Sequence, residues 1–293
     1  MTITPAPLSP THAPARSSLR TRRILSSTAL HVSLCIALAL ILLPFVWMLL
    51  GSFKTQAELA QRPITWWPEN ITFENYGSWF GELNIGGFFF NSAVVSVITV
   101  AGNLIFCSLV GYALAKMDFA GKRVLLALVL VTLMVPGVVT FVPLFVLISQ
   151  MGLVNTLPAL FLPFLVTPLG VFLMRQFMMS IPDSLIEAAR LDGAGELTTF
   201  RRIILPLCGA PLATLGILTF LSSWNNFLWP LVAAQSEDKY TLPVALSLYA
   251  TNRNTTDYGL LMAGSVLVIV PILVLFLFLQ KYFTAGIATT GIK

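Results

Sequence analysis

Five stretches of this chain carry no Asp, Glu, Lys or Arg: Ile24 to Phe53, Leu83 to Ala115, Val124 to Met174, Ile203 to Ser236 and Tyr258 to Gln280. A helix that crosses the roughly 30 Å hydrocarbon core of a bilayer needs about 20 mostly apolar residues, and each stretch supplies them. The third stretch is long enough for two such helices, with Gln150, Gly152, Asn155 and Pro158 marking a polar, helix-breaking hairpin in its middle. The pattern predicts an all-α polytopic membrane protein with six transmembrane helices, near 28–52, 88–114, 124–147, 157–176, 205–233 and 259–281, in one membrane domain 24–293. Residues 1–23, rich in Pro, Ser and Thr at their start, read as a flexible cytoplasmic tail.

Composition excludes the main soluble alternatives. Only 10% of the 293 residues are charged, 57% are hydrophobic and the mean hydropathy is +0.86, whereas a soluble domain carries roughly a quarter of its residues as charges. Intrinsic disorder fails on the same excess of apolar surface. The net charge of +5 comes with no basic stripe interleaved with aromatics, so nucleic acid is not a partner. Cys35, Cys107 and Cys208 lie inside apolar runs, odd in number and without metal spacing, and read as small lipid- or core-facing side chains.

The distribution of charge sets an orientation. With six spans, one side receives thirteen Lys and Arg, from the N-terminal tail, the 116–123 and 175–202 loops and the C-terminal end. The other receives Lys54, Arg62, Lys239 and Arg253 alone. By the positive-inside rule both termini are cytoplasmic in a multi-pass protein of the cell membrane. A cleaved signal peptide is the alternative for the first apolar run, since Arg22 and Arg23 precede it. The run is longer than a typical signal core, and no small-x-small site follows it.

Three loops carry the remaining information. The outer segment Lys54 to Glu82 holds Trp66, Trp67, Tyr76 and Trp79, which suit either an interfacial belt or a stacked ligand. A second outer segment, Glu237 to Asp257, contains Asn252 and Asn254 and is a candidate docking loop for an extracytoplasmic partner. In the cytoplasmic segment 181–193, the Ser184-x-x-Glu187 spacing of a capping box predicts a helix start, and Gly193 suits the left-handed residue that ends it. On that helix Leu185, Ala188 and Ala189 share one face and Glu187 and Arg190 another, forming a small-residue knob that fits a groove in another protein. A second helical stretch is predicted from Glu196 to Leu205, with Pro206 and Pro211 breaking or bending the chain before the fifth span.

These residues resemble a known family. Glu187-Ala188-Ala189, three residues, Gly193, nine residues, Ile203, one residue, Leu205-Pro206 is similar to the E-A-A loop of binding-protein-dependent ABC importer permeases. Ser52-Phe53-Lys54-Thr55, Glu74-Asn75-Tyr76 and Trp224-Asn225-Asn226-Phe227-Leu228-Trp229-Pro230 resemble sugar-importer permeases of the maltose-transporter type, closest to the six-span subunit of the two different permeases. Asn226 departs from the family, which often has an acidic residue there.

The resemblance implies a permease subunit of an ATP-driven importer, forming half of the path for a sugar: an oligosaccharide, polyol or glycerol-phosphate-like solute. It implies as partners a second, different permease, a dimer of ATP-binding cassette subunits and an extracytoplasmic solute-binding protein, all around a chain embedded in membrane lipid. Glu187, Ala188, Ala189, Asp192, Gly193, Ile203, Leu205 and Pro206 would form the ATPase-coupling loop, on short cytoplasmic coupling helices between spans 4 and 5. No cofactor, metal site or catalytic residue is expected. The sequence has no G-x4-G-K-[ST] phosphate loop, since Gly121-Lys122-Arg123 lacks the preceding glycine and the hydroxyl, so ATP hydrolysis is expected on a separate subunit.

Three readings of the residues stay open beside it. An ion-coupled secondary transporter would place ionisable groups inside its spans, and the charge-free stretches offer only His31. A membrane enzyme would need a metal pair or nucleophile motif, and neither H-E-x-x-H nor G-x-S-x-G occurs. For the translocation path the candidates are Asn103, Trp224, Asn225, Asn226 and Trp229, with Asn91 near them. Amides and aromatic faces suit sugar hydroxyls and ring C–H groups, while interhelical hydrogen bonding is the other use of a buried Asn.

Overall fold

In the computed structural model the backbone is described for residues 16–250 and 256–289, and side chains for 27–250 and 256–278. Helix α1 (Arg16–Gly51) begins well before the apolar segment Ser27–Gly51, because no Gly or Pro interrupts Arg16 to Arg23. The expected flexible tail is corrected to that extent, and its 1–15 portion lies outside the described residues. Two short helices follow. α2 (Gln56–Ala60) is capped by the Thr55 side chain, which accepts from the Glu58 amide, and α3 is Glu74–Gly77.

The next membrane rod is α4 (Ile85–Gly102), whose first turn is capped by the Asn84 side chain. It continues through a π-type turn, Asn103–Cys107, into α5 (Ser108–Lys116). After left-handed Gly121 (φ +87°) comes α6 (Lys122–Met134), then α7 (Gly137–Gln150). The expected single span 124–147 is in fact bent by 107° between these two helices. Pro136 causes the break: it lacks a backbone donor, and its ring forces Val135 into extended backbone (ψ 118°).

The stretch expected at 157–176 corresponds to one candidate span, Leu157–Met179, built of two helices. α8 (Leu157–Phe161) passes through a 3-10 turn to α9 (Pro168–Met179), with Thr156 and Thr167 capping the two helices through their hydroxyls. Helix α9 runs past Met174 and so brings Arg175 into the helix, beyond the charge-free stretch. Then follow α10 (Ser184–Leu191), α11 (Glu196–Thr199), a π-type turn Phe200–Ile204 and α12 (Leu205–Leu207). The chain turns by 81° into α13 (Gly209–Trp224). The expected span 205–233 is thereby shortened: α12 lies across the axis of α13, and α14 (Leu228–Ala233) is separate. The chain ends in α15 (Leu242–Ala250) and α16 (Tyr258–Thr289).

Among the described residues four helices are long and apolar enough to cross a membrane, and up to six do if each bent pair is one span. The protein is an all-α polytopic membrane protein. Among the described residues α1 is exposed from Ser27 to Val46, and Met134 and Val138 at the α6–α7 bend are almost fully exposed. Apolar surface on that scale requires lipid or partner helices.

The interior is organised around two helix pairs, α4 with α13 and α5 with α9. Gly111 sets the second: a Cβ there would stand 2.8 Å from the Met174 Cβ and 3.0 Å from the Arg175 backbone nitrogen. Only a residue without a side chain permits that approach.

Candidate functional site

Helix α10 and the turns after it form a small platform. Gly193 adopts φ +78°, and two bonds close the helix end, from the Ala194 amide to the Ala189 carbonyl and from the Gly193 amide to the Arg190 carbonyl. This is the Schellman arrangement, which needs a left-handed residue at Gly193. Asp192 is the last residue before it and is exposed. The expected capping box is not formed. The helix is preceded by Asp183, no side chain caps its first turn, and the Asp183 carboxylate instead takes an ion pair from Lys116 Nζ at 2.6 Å.

The faces of α10 also differ from expectation. Ile186 and Ala189 are buried, packed above a cluster containing Tyr112, Met174, Met178, Phe200 and Ile204. Ser184, Glu187, Ala188 and Leu191 point outward at helical spacing, with Leu191 89% exposed. Leu185 is exposed as well, so of the expected knob Leu185 and Ala188 face outward, joined by Leu191, and Ala189 is buried beneath them. Arg190 pairs with Glu196 rather than with Glu187, at 2.8 Å. Ile203 and Leu205 lie half-buried against the same cluster, and Pro206 is exposed in α12, just before the 81° turn.

A second feature is a cavity of about 220 Å³ between α4, α9 and α13. Its polar lining is Thr99, Thr167, Thr219, Ser222, Ser223 and Asn226, and its apolar lining includes Phe164, Leu169 and Leu215. No ionisable side chain is among the lining residues. Such a surface offers hydrogen bonds and apolar contact without charge, which suits a polyhydroxylated neutral solute.

Of the five residues proposed from sequence for the path, Asn226 lines this cavity and the other four do not. Asn103 is fully buried and donates to the Thr99 and Phe164 carbonyls, while its Oδ1 accepts from Thr167 Oγ1 at 2.7 Å. It thus re-satisfies backbone groups freed where α8 gives way to α9. Trp224 is buried with its indole donating to the Val268 carbonyl at 3.0 Å, and Trp229 is buried with its indole on the Ala159 carbonyl at 2.9 Å. Asn225 bonds back to the Leu221 carbonyl and faces a different groove. Asn91 holds the Asp238 and Tyr240 carbonyls.

The hydroxyls escaped notice because Ser and Thr are common in membrane helices. One signal was available: Thr219, Ser222, Ser223 and Asn226 fall at i, i+3, i+4 and i+7, the spacing of one helical face that continues past the end of α13.

At the outer loops, Trp79 proves to be core, fully buried with its indole donating to the Leu260 carbonyl at 2.9 Å. Trp66 and Trp67 remain exposed. Asn252 and Asn254 lie outside the described residues.

Long apolar helices around an uncharged cavity, with the exposed α10 helix beside them, are the frame of a polytopic membrane protein, and its class follows from its relatives. The sequence model described as "binding-protein-dependent transport system inner membrane component" matches residues 107–289, and the chain belongs to that family. The arabinooligosaccharides transport system permease protein AraQ of Halalkalibacterium halodurans is 43% identical over 253 residues, covering 85% of this chain and 90% of that protein. The diacetylchitobiose uptake system permease protein NgcG of Streptomyces coelicolor is 31% identical, covering 88% of this chain and 86% of the relative. A crystal structure of a bacterial ABC transporter involved in import of the acidic polysaccharide alginate superposes with TM-score 0.78 at 26% identity, over 94% of this chain and all of that one. Family membership replaces the ion-coupled alternative.

Proposed function

We propose that this chain is one of two different permease subunits of an ATP-driven importer and forms half of the path for a neutral oligosaccharide. The solute is delivered by an extracytoplasmic binding protein, and both termini face the cytoplasm, where the excess of Lys and Arg lies. ATP hydrolysis belongs to separate subunits. The outward face of α10, Glu187, Ala188 and Leu191 with Asp192, docks into a cleft of the ATP-binding subunit, and Gly193, Ile203, Leu205 and Pro206 shape and anchor the loop behind it.

The observation that carries this reading is the exposed α10 face on a helix closed by Gly193 and seated on an apolar platform. The uncharged cavity supports a neutral sugar over a glycerol-phosphate-like solute, and the names of the relatives support an oligosaccharide, arabino-oligosaccharides first. Thr219, Ser222 and Asn226 are among the path residues in this reading, because they line the cavity.

The test is co-expression with the second permease, ATP-binding subunit and binding protein encoded with it, then ATP hydrolysis in liposomes. The panel is arabinotriose, diacetylchitobiose, lactose and an alginate trisaccharide. Stimulation by a neutral oligosaccharide and none by the uronate is the expected result. Uptake driven by a proton gradient without ATP would refute it. Within the path, Asn226→Leu with Ser222→Ala is expected to raise the sugar concentration for half-maximal uptake about tenfold, the worth of one or two hydrogen bonds.

A further inference from the structure

The last two turns of α5 meet both ends of the α10 loop. Tyr112 and Lys116 lie four residues apart and therefore on one face of α5; Tyr112 is buried, and the Lys116 side chain is only 4% exposed. Lys116 Nζ donates to the Ile181 carbonyl and to Asp183 Oδ1, each at 2.6 Å, just before α10 begins. Tyr112 donates its hydroxyl to Glu196 Oε2 at 2.8 Å, just after α10 ends, and the other Glu196 oxygen accepts from Arg190 on α10 itself. The Tyr112 ring lies 5.2 Å from that of Phe200 in the turn beyond.

We infer that Tyr112 and Lys116 are positioning residues that fasten the loop to α5, so that a push on α10 moves the α5–α9 pair as one body before it moves α13. This rests on the proposed coupling role of α10.

The covalent route leads elsewhere. From α10 the chain reaches α13 through α12 and an 81° turn at Cys208, a residue outside regular helical backbone (ψ 19°) with Pro206 and Pro211 on either side. A bend of that size between short helices transmits displacement poorly along the chain. Among the described residues no hydrogen bond or ion pair joins α13 to the loop; Leu215 meets it through apolar packing alone. The α5–α9 contact, in contrast, is stiff, because Gly111 lets the two backbones touch. Charge-assisted bonds at both ends hold α10 at a fixed angle to that pair, which apolar contact cannot do because it lacks direction.

The pair α5–α9 also carries Gly170 at the cavity wall, and Thr167 caps α9 there. Motion of the pair thus reaches the hydroxyl-lined cavity directly.

The test uses the complete reconstituted complex, with the oligosaccharide of the panel above that stimulates the wild type best. Sugar taken up per ATP hydrolysed is measured for Tyr112→Phe, Lys116→Met and the double variant, alongside Glu187→Lys. The double variant is expected to purify with all subunits and to hydrolyse ATP within twofold of wild type, while uptake per ATP falls at least fivefold. Lys116→Arg, which keeps charge and reach, is expected to recover most of the single-variant loss. Wild-type stoichiometry in the double variant, with Glu187→Lys uncoupled, overturns the fastening role alone. Wild-type stoichiometry in Glu187→Lys overturns the coupling reading beneath it. Should the double variant not assemble, Tyr112→Phe decides by itself: it removes one oxygen, and an unchanged ratio overturns the inference.

Discussion

Two polar knots brace the helices of this protein, and they are built in opposite ways. The knot after α1 is closed. Lys54 and Glu58 pair at 3.5 Å with side chains only 2% and 6% exposed. Lys54 also donates to the Thr65 carbonyl, and Glu58 Oε1 accepts from the Glu69 amide at 3.0 Å. Ser52 meets Tyr76 through their hydroxyls, and Asn75 donates to the carbonyls of Ser52 and Lys54. The knot around α10 is open. Its cation Lys116 is buried, but the Asp183 side chain that it holds is 75% exposed.

The difference follows from what each must do. A buried charge network fixes the chain and offers nothing outward, even though the second Glu58 oxygen has no hydrogen-bond partner among the described residues, whereas an open one holds a helix from behind and leaves its front face free. In the closed knot burial pushes the Glu58 carboxyl up, but the Glu69 amide and the Lys54 ammonium outweigh it and hold it below the ordinary range. In the open knot the bond and charge of Lys116 alone hold Asp183 low.

Breaking the closed knot has the largest expected effect. Lys54→Met strands the Glu58 carboxylate in a buried site and is expected to cost roughly 3–5 kcal/mol of stability, read as thermal unfolding of the purified complex in detergent. Adding Glu58→Leu should return most of it; a single variant as stable as wild type would mean that the knot is hydrated and not closed. Next, Gly111→Val drives a side chain into Met174 and the α9 backbone and is expected to cost about 1–3 kcal/mol, with uptake falling alongside. Smaller again is Gly193→Val, about 1–2 kcal/mol for a side chain forced into left-handed backbone. Its loss of uptake is expected to exceed that stability change, because the α10 face turns; hydrogen exchange across 184–196 reports the angle directly.

The smallest effect concerns pH. Because the folded Asp183 carboxyl titrates below its unfolded value, its contribution is fully present above the ordinary carboxylate range and is lost as pH falls through the lowered folded value. Asp183→Asn should therefore lower stability slightly at neutral pH and leave it unchanged in strong acid. An equal difference at both pH values would show that Asp183 acts by shape and not by charge.

Much of the architecture was legible because charge-free length is a local property. So was the α10 loop: Gly193 marks its end, and its left-handed backbone is required by the Schellman bonds whatever surrounds it. The start of α10 was misread for a physical reason. Ser184 and Glu187 have capping-box spacing, but Lys116, some seventy residues upstream, competes for the preceding Asp183, and no local pattern contains that partner. The path candidates show the same limit, since Asn226 alone of the five lines the cavity. Asn103, Trp224 and Trp229 were chosen as uncommon polar or aromatic side chains in apolar surroundings, and each is held by a distant backbone carbonyl. A buried amide or indole is an obligatory donor, and where the fold brings an unsatisfied carbonyl to it, that bond takes precedence over any solute.

The two outer motifs illustrate the same division. Ser52 to Thr55 and Glu74 to Tyr76 stood out separately in the sequence, and only the fold joined them, through Ser52 with Tyr76 and Asn75 with Lys54. The sequence by itself determined that the chain lives in a membrane, roughly where its apolar helices lie, and that a helical loop closes at Gly193. Tertiary structure alone decided which polar groups face each other, and so which side chains brace the helices and which line the cavity. The reason is range: helix length and backbone conformation depend on neighbours in the chain, while hydrogen-bond satisfaction in an apolar interior depends on whatever packing brings within 3 Å or so.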